Sequence, residues 1–355
     1  MEHVHHALQL GQSGLHGFDD IKLIPNCLPG TSTERIVLDT QIGELSLSSP
    51  IVINAMTGGA RETEEINREL AVAARETGLA MAVGSQMSAL KNPEVASSYR
   101  VVRETNPHGI VFGNLGSEAT VEQAQRAVEM IRADALQIHL NVMQELIMPE
   151  GDRDFTGMLE RVRGIVEAVG VPVIVKEVGF GMARESAEAL LDAGVTILDV
   201  GGSGGTNFAA IENARRETPL DWLNDWGANT CISLLEVLEA VQGREAVRGS
   251  SPSVIATGGI HRALDIAKAL ILGASAVGMA GAMLRVQRME GTEALIAYIA
   301  SLHHDLRLVM TALGATGLKD LVQVPVILGG ETADWCTARS IDIRPFAQRN
   351  GYVYV

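Results

Sequence analysis

The sequence predicts an α/β fold of the (β/α)8 (TIM) barrel class, and three features of its 355 residues indicate this fold. From about Pro50 onward, short apolar runs alternate with longer amphipathic stretches, as in β/α repeats that build a parallel sheet. The runs number eight, which is the strand count of this barrel. Hydrophobic residues make up 46% of the chain but aromatic residues only 4%, which suits the small branched side chains inside parallel barrels.

The predicted strands and helices follow this alternation along the chain. The eight strands are predicted at 51–54, 80–83, 110–114, 135–139, 173–176, 196–200, 254–257 and 274–278. Helical spacing of apolar residues predicts helices at 63–77, 121–132, 155–169, 184–193 and 262–272. A doubly wound open sheet is the main alternative, but no G-x-G-x-x-G follows the first strand.

Two segments flank the repeat without joining it. Residues 1–49 contain turn signals and one short predicted hairpin, and we interpret them as an N-terminal extension. Residues 50–284 are the predicted barrel. Residues 285–355 are predicted to form one or two long helices and an irregular tail from about Pro325. No Pro-rich or Ser-rich linker separates these parts, so a single domain is predicted.

Composition excludes several classes of partner. The formal net charge of −15 argues against nucleic acid, whose phosphates attract basic surfaces. The N-terminus lacks a basic segment followed by an apolar run, and no stretch reaches eighteen apolar residues, so we expect no membrane partner. Cys27, Cys231 and Cys336 lie far apart, which predicts reduced thiols of a cytoplasmic protein.

Glycines and polar residues follow nearly every predicted strand, at the rim where such barrels place their active sites. The segments 257–260 (TGGI) and 278–281 (GMAG) follow the last two strands, the usual position of the phosphate site. Glycine lets backbone amides approach an anion closely. The segment 201–205 also matches the G-x-S-x-G elbow of serine hydrolases, with Ser203 as nucleophile. A phosphate-binding role explains these glycines without a catalytic triad.

The fourth predicted strand carries polar residues on one face. A period of two places Gln137, His139 and Asn141 together, with leucine and isoleucine on the opposite face. We expect the polar face to point into the barrel, where its burial requires a ligand or mutual hydrogen bonds.

Charged residues at the ends of two neighbouring strands complete the candidate site. Lys176 ends the fifth strand, where burial favours contact with an anion or with the electron-rich edge of a flavin. Glu145 and Glu150 are predicted to lie in a loop because Pro149 interrupts a simple helix. A carboxylate there suits Mg²⁺, which binds few protein ligands together with substrate phosphates.

These motifs resemble those of type 2 isopentenyl-diphosphate isomerases, from about His3 into the C-terminal tail. The matching segments are NAMTGG at 54–59, VGSQMSALK at 83–91, LQIHLNVMQELIMPEGDR at 136–153, VIVKEVGFGM at 173–182, GGTNFAAIENAR at 204–215 and MTALGATGLKDL at 310–321. The segment 136–153 separates this family from other FMN barrels.

The resemblance implies an Mg²⁺-dependent, redox-neutral interconversion of isopentenyl and dimethylallyl diphosphate. An unactivated alkene must gain a proton at one carbon and lose one from another, for which ordinary side-chain acids are poorly matched. The resemblance implies that reduced FMN exchanges these protons through N5 and that NADPH serves only to reduce the flavin. It also implies a homo-oligomer, either a tetramer or an octamer.

Carried over by position, the resemblance implies a role for each candidate residue. The catalytic set is Gln144, His139 and Asn141, with Gln144 beside the alkene. His3 joins Gln144 in binding the substrate, and Glu145 holds Mg²⁺ against the diphosphate. The implied flavin contacts are Ala55, Met56, Thr57, Ser85, Asn114, Lys176, Thr206, Gly258, Gly259, Ala280 and Gly281.

One departure from the family pattern concerns the diphosphate. Family members carry an Arg-Lys pair a few residues before the histidine that matches His3, whereas this sequence starts Met1-Glu2-His3. Either a preceding segment is absent from the sequence as written, or His3 and its histidine neighbours contribute instead. Without two charge-assisted contacts, substrate binding is expected to weaken by about 3 kcal/mol or more.

Two alternatives remain at this point. One is another FMN barrel oxidoreductase, such as a 2-hydroxy acid oxidase or an inosinate-type dehydrogenase. The oxidase needs a histidine base and arginines, for which His261-Arg262 is the only late pair, and the dehydrogenase needs a nucleophilic cysteine, for which Cys231 is poorly placed. The other alternative is a flavin-binding homologue with impaired catalysis.

Overall fold

The computed structural model of the protein describes residues 15–244 and 251–352. Within these ranges the strands, in chain order, are β1 (Ile21–Leu23), β2 (Thr40–Ile42), β3 (Leu45–Leu47), β4 (Ile51–Ile53), β5 (Ala80–Ala82), β6 (Val111–Gly116), β7 (Ala135–Leu140), β8 (Val173–Glu177), β9 (Ile197–Asp199), β10 (Ser253–Thr257), β11 (Ala276–Met279) and β12 (Val326–Leu328).

The helices of the same ranges lie mostly between these strands. They are α1 (Arg61–Thr77), α2 (Met87–Lys91), α3 (Ser97–Thr105), α4 (Val121–Ile131), α5 (Val142–Ile147), α6 (Met158–Ala168), α7 (Arg184–Asp192), α8 (Phe208–Asn213), α9 (Thr230–Val241), α10 (Ala263–Leu272), α11 (Gly281–Glu290), α12 (Thr292–Leu313), α13 (Leu318–Leu321), α14 (Gly330–Ala338) and α15 (Arg344–Gln348). Short 3-10 turns are formed by Phe18–Asp20, Thr33–Arg35, Pro93–Val95 and Asp221–Leu223.

Strands β4 to β11 close a parallel barrel in chain order, with β11 pairing back onto β4. Each strand overlaps one of the eight predicted runs, so the predicted barrel is confirmed. The five predicted helices are also present, as α1, α4, α6, α7 and α10. Local signals fix some of their ends: α4 starts with a capping box in which Thr120 Oγ1 accepts from the Gln123 amide at 3.2 Å and Gln123 Oε1 accepts from the Thr120 amide at 2.9 Å.

The inside of the barrel consists of two layers of different polarity. Apolar side chains fill the amino-terminal half: Val52, Ala80, Ala82, Phe112, Ala135, Ile174, Ile197, Ile255 and Ala276. Two positions farther along the same strands the inward residues are polar in six cases: Asn54, Asn114, Gln137, Lys176, Asp199 and Thr257. The apolar layer therefore supports a polar layer at the carboxyl ends of the strands.

The predicted N-terminal hairpin is confirmed and closes the bottom of the barrel. Strands β2 and β3 pair antiparallel from Thr40↔Leu47 to Ile42↔Leu45. Ile42 and Leu47 are buried against the apolar layer. The hairpin thus keeps water from the amino ends of the strands.

The prediction of an irregular tail from Pro325 is wrong. Strand β12 pairs antiparallel with β1, with Ile21 opposite Leu328, and α14 follows it. Both strands have only three residues, too few to show a period, and the partners lie some 300 positions apart in the sequence. A local pattern cannot reveal such a pairing.

Helix α12 is the longest of the described helices, at 22 residues. It packs against α1, α10 and α11 on the outside of the barrel, with Leu295, Ile299 and Leu306 fully buried. A spacing of four and seven residues puts these three on one stripe, as in an amphipathic surface helix. None of the helices in the described part of the chain meets the length and hydropathy needed to cross a membrane.

Candidate active site

The carboxyl ends of the barrel strands surround a cavity of about 360 Å³. Of the predicted site residues, those that line it are Ala55, Met56, Ser85, Asn114, His139, Gln144, Lys176, Thr206, Gly258, Gly259, Ala280 and Gly281. All eight strands contribute to this lining, through residues at their carboxyl ends or in the segments that follow them. A cleft of this size at this end of the barrel can enclose a ligand approached largely by backbone.

Three predicted site residues in the described part of the chain do not line the cavity: Thr57, Asn141 and Glu145. Thr57 is buried beside it, and its Oγ1 donates to Asn67 Oδ1 at 2.7 Å. Asn141 turns its amide away and donates to Glu145 Oε1 at 2.8 Å. Thr57 and Asn141 therefore support neighbouring backbone and side chains in this structure. The predicted substrate contact His3 lies outside the described residues.

The glycine loops after β9, β10 and β11 form a cradle of backbone groups. In the described part of the chain, the amides of Gly205, Gly259 and Gly281 donate to no carbonyl or side chain. An ideal Cβ on Gly205 would lie 2.9 Å from the Gly259 nitrogen, so the two loops touch at their backbones. Gly281 opens the ten-residue helix α11, whose N-terminus adds partial positive charge. Free amides in this arrangement fit a phosphate group.

The polar layer below the cavity is joined by hydrogen bonds. Asn54 Nδ2 donates to Asp199 Oδ2 at 2.7 Å and to Thr257 Oγ1 at 3.0 Å. Gln137 Nε2 donates to Asn54 Oδ1 at 2.8 Å. Asp199 and Gln137 have no exposed surface, so these bonds satisfy groups that would otherwise be costly to bury. The predicted inward orientation of Gln137 and His139 is observed.

Three ionisable side chains lie side by side at the top of this layer. Strand register places Lys176 between His139 on β7 and Asp199 on β9. Burial, together with the nearby Lys176 ammonium, lowers the pKa of His139 to about 4. Burial raises the pKa of Asp199, while Lys176 and Asn54 act in the opposite direction. His139 is therefore neutral at physiological pH, and Lys176 is the cation of this group.

Glu177 is a lining residue that sequence reasoning missed. Its Oε2 accepts from the amides of Val178, Gly179 and Phe180 at 2.7, 2.8 and 2.6 Å. Burial raises the pKa of Glu177 to about 7 against these hydrogen bonds. The side chain thereby fixes the loop after β8, and its backbone carbonyl accepts from Lys176 Nζ at 2.8 Å. Turn-like glycines at 179 and 181 were the available signal in the sequence.

Gln144 is held by a buried acid that was also missed. Gln144 Nε2 donates to Glu212 Oε1 at 2.9 Å, and Glu212 has no exposed surface. Arg215 Nη1 lies 2.5 Å from Glu212 Oε2, and the same guanidinium pairs with Glu150. The sequence did contain a signal for Glu212, because this residue lies in the segment 204–215 that resembles the isomerase family. Glu150 is thus part of an ion-pair network.

Glu145, the predicted metal ligand, lies in helix α5 and not in a loop. The prediction of a loop is wrong for Glu145, because Pro149 stands beyond the last helical residue, Ile147, and a proline there does not disturb the preceding turn. It is right for Glu150, which lies in the turn after α5. Glu145 Oε2 accepts from the Asp152 amide at 2.9 Å. Among the described residues no cluster of three or more His, Cys, Asp or Glu could enclose a metal. A cation here would take one carboxylate and complete its shell with phosphate and water, as Mg²⁺ does.

The features that suggested other enzyme classes do not form catalytic groups. Ser203 has no histidine bonded to its hydroxyl among the residues described, and it does not line the cavity. Cys231 is fully buried in α9, where burial raises the pKa of its thiol. His261 Nδ1 bonds to the Gly259 carbonyl at 2.8 Å, and Arg262 Nε donates to Asp265 at 3.0 Å. Neither residue of this pair is arranged to bind a hydroxy acid.

Comparisons with known proteins agree with this geometry. Residues 104–326 match the FMN-dependent dehydrogenase family. The chain is similar to an isopentenyl-diphosphate delta-isomerase from Geobacillus sp. (strain WCH70), at 54% identity over 352 residues, and to one from Bacillus cytotoxicus, at 55% over 350 residues; each match covers 98% of both chains. Among solved structures it resembles a mandelate oxidase variant with a TM-score of 0.64 at 19% identity, over 91% of this chain and 92% of the other. That identity shows a shared fold alone.

Proposed function

The chain belongs to the FMN-dependent, type 2 isopentenyl-diphosphate delta-isomerase family, and we propose that its barrel cavity interconverts isopentenyl and dimethylallyl diphosphate. One observation carries the proposal: a single cavity combines free backbone amides for a phosphate, a buried cation and a carboxamide anchored on a buried acid. The free amides and the buried cation suit FMN, and the anchored carboxamide suits an uncharged alkene.

FMN would be held by contacts of two kinds. The free amides of Gly205, Gly259 and Gly281 fit its phosphate. Lys176, 7% exposed at the cavity floor, fits the electron-rich side of the flavin ring. When bound and reduced, FMN supplies the proton-exchange chemistry that no side chain here provides. Ala55, Met56 and Ser85 line the wall after β4 and β5 and would position the ring.

Gln144 and Glu212 would position the reacting end of the substrate. Because Gln144 Nε2 donates to Glu212, the amide oxygen of Gln144 remains as an acceptor toward the cavity. The ion pair with Arg215 holds the Glu212 carboxyl group in place, and Glu212 in turn fixes the rotamer of Gln144. A neutral amide is a weak acid and base, so we assign Gln144 to positioning the alkene and Glu212 to holding Gln144.

Mg²⁺ would neutralise the diphosphate beside Glu145. Support comes from the chemistry of the ligand set: one carboxylate on a short helix, with Asn141 and the Asp152 amide bonded to its two oxygens. NADPH as reductant, a tetrameric or octameric assembly and a cytoplasmic location rest on the resemblance and on the cysteine pattern. The role of His3 in binding the diphosphate rests on the resemblance as well.

A 2-hydroxy acid oxidase, which the fold also accommodates, receives no support from the site. Such an enzyme uses a histidine base and an arginine for the carboxylate. His261 and Arg262, which follow the seventh barrel strand, are bonded to Gly259 and Asp265. His139 lines the cavity, and its pKa is lowered to about 4.

The test is an isomerase assay on the purified protein with FMN, NADPH, Mg²⁺ and labelled isopentenyl diphosphate, run with and without oxygen. Dimethylallyl diphosphate that requires reduced flavin but no stoichiometric NADPH is the expected product. Gln144→Leu should reduce turnover by about 10²-fold or more while FMN binding persists. FMN binding without any product, also after an Arg-Lys segment is added before His3, would remove the substrate assignment and leave a flavin-binding homologue.

A further inference from the structure

A continuous line of hydrogen bonds crosses the inside of the barrel from Asp199 to His139. Asn54 Nδ2 donates to Asp199 at 2.7 Å, and Gln137 Nε2 donates to Asn54 Oδ1 at 2.8 Å. Asn114 Nδ2 donates to Gln137 Oε1 at 3.5 Å, and His139 Nδ1 lies 2.8 Å from Asn114 Oδ1. The line passes through four strands, and its first three members are completely or almost completely buried.

The direction of the line is fixed at its Asp199 end. Both carboxylate oxygens accept hydrogen bonds, since Oδ1 also accepts from the Gly201 amide at 3.3 Å. Lys176, its neighbour on β8, supplies a compensating positive charge. The Ala55 amide can only donate, and it bonds to Asn54 Oδ1 at 2.9 Å, so Asn54 must present its NH₂ group to Asp199. A backbone amide therefore sets the direction of the line, and the Asp199 carboxyl group accepts in agreement with it.

The orientation of Asn54 determines which end of each following side-chain amide donates and which accepts. Asn54 presents its oxygen to Gln137, so Gln137 must donate through its NH₂ group and accept through its oxygen. Asn114 must then donate to Gln137 and present its own oxygen to the imidazole. A neutral imidazole carries one N–H, and here only a protonated Nδ1 can bond to that oxygen.

We propose that Gln137, whose orientation is fixed by Asn54, is a positioning residue that sets the tautomer of His139 through Asn114: Nδ1 carries the ring proton, and Nε2 is left unprotonated. The ring stays neutral because burial and Lys176 lower the pKa of His139 to about 4. His139 lines the cavity, whereas Asp199 and Gln137 do not. The ligand group opposite Nε2 must therefore be a hydrogen-bond donor, N–H or O–H. The role of Nε2 in ligand binding rests on the proposed function, whereas the tautomer of His139 rests on contacts within the protein alone.

The inference is tested by ¹⁵N NMR of the FMN-loaded protein labelled at histidine, with the His139 signals identified by their loss in His139→Gln. The wild type should show one tautomer, protonated at Nδ1. Gln137→Met interrupts the line while leaving Asp199 and Lys176 unchanged. In this variant we expect the Nδ1–H pattern to be lost or averaged with the other tautomer.

Asp265→Asn is the matched control, because Asp265 is equally buried but bonds to Arg262 outside the barrel. It should leave the His139 signals unchanged. Should Gln137→Met fail to fold, the tautomer of the wild type decides the matter alone. Protonation at Nε2 in the wild type, or an unaltered Nδ1–H pattern in folded Gln137→Met, overturns the proposal. An inactive wild type with the expected tautomer would refute the isomerase function and not this inference.

Discussion

At the scale of single residues, the site is defined by buried polar groups whose neighbours determine their charge. His139 is neutral because it is buried next to Lys176, and Asp199 lies beside that lysine and accepts from Asn54. Gln144 is oriented by Glu212, against which Arg215 lies. In each case, one side chain presented to the ligand depends on a second that lies behind it.

The lowered pKa of His139 predicts a pH dependence of stability. Its ordinary value is 6.5 and its value in the folded protein is about 4. Between these values the unfolded chain binds the proton and the folded chain does not, so acidification favours unfolding. The free energy of unfolding should fall as the pH drops from 6.5 to 4, and His139→Gln should flatten that slope. Urea titrations at several pH values measure it, with exposed His108→Gln as a control that should retain the wild-type slope.

The contact between the two glycine loops predicts a loss of FMN affinity in Gly205→Ala. Gly205 has an ordinary negative-φ backbone, but a Cβ there would lie 2.9 Å from the Gly259 nitrogen. The added methyl should separate amides that bind the phosphate and raise the FMN dissociation constant about tenfold or more, which is about 1.4 kcal/mol. Fluorescence titration with FMN measures it. Gly170→Ala, where nothing lies within 4 Å, should bind normally; equal affinity in both variants would place the phosphate elsewhere.

The single carboxylate at the proposed metal site predicts a specific effect of Glu145→Gln. The Mg²⁺ concentration needed for half-maximal activity should increase about tenfold or more, because a neutral amide is a poor ligand for Mg²⁺. FMN binding should not change. Glu118→Gln removes a charge that interacts with Glu145 and serves as control. Similar Mg²⁺ curves for the Glu145 variant and wild type would exclude Glu145 as the ligand.

The sequence predicted those site residues whose role depends on position along a strand. Period two placed Gln137 and His139 inside the barrel, and strand ends located Lys176 and the glycine loops. The sequence did not predict the role of Glu212, because that acid reaches Gln144 from helix α8, 68 positions away. It placed Thr57 in the cavity, although a hydrogen bond to Asn67 turns its hydroxyl away. Contacts between side chains of distant segments are not encoded in a local pattern.

At the scale of secondary-structure elements, short pieces from outside the repeat complete the barrel. The β2–β3 hairpin covers its amino end. Strand β12 pairs with β1. Arg339 follows the last residue of α14 and attaches that helix to α9, because its Nε donates to buried Glu236 at 2.7 Å. The periodic strands and helices were predictable because each repeats its pattern over many residues. The three-residue strands were not, since only their partners define them.

The hairpin predicts a stability effect that is separate from the active site. Ile42 is fully buried in the apolar layer, so Ile42→Ala should lower the free energy of unfolding by about 2–5 kcal/mol through lost burial and a cavity. FMN affinity should remain close to that of wild type at temperatures where the variant is folded. Urea unfolding measures the first effect. Ile327→Ala, at a side chain 45% exposed, is the control and should cost far less.

At the scale of the whole molecule, one barrel supports both oxidases and this isomerase family. The mandelate oxidases share the fold at 19% identity or less among the structures compared, so the fold does not determine the reaction. The reaction depends on what surrounds the flavin site. Here that is a neutral histidine, an anchored glutamine and a helix carrying one carboxylate, with no free histidine–arginine pair at the later strand ends among the described residues.

The central claim is that the protein moves protons and no net electrons, and deuterium incorporation tests it most directly. The FMN-loaded protein would be photoreduced without oxygen in D₂O and incubated with Mg²⁺ and isopentenyl diphosphate, without NADPH. The account predicts dimethylallyl diphosphate that carries deuterium, formed over many turnovers while the flavin absorbance remains that of the reduced form. Flavin that becomes oxidised in proportion to product, or product that appears only with stoichiometric NADPH consumption, would contradict it.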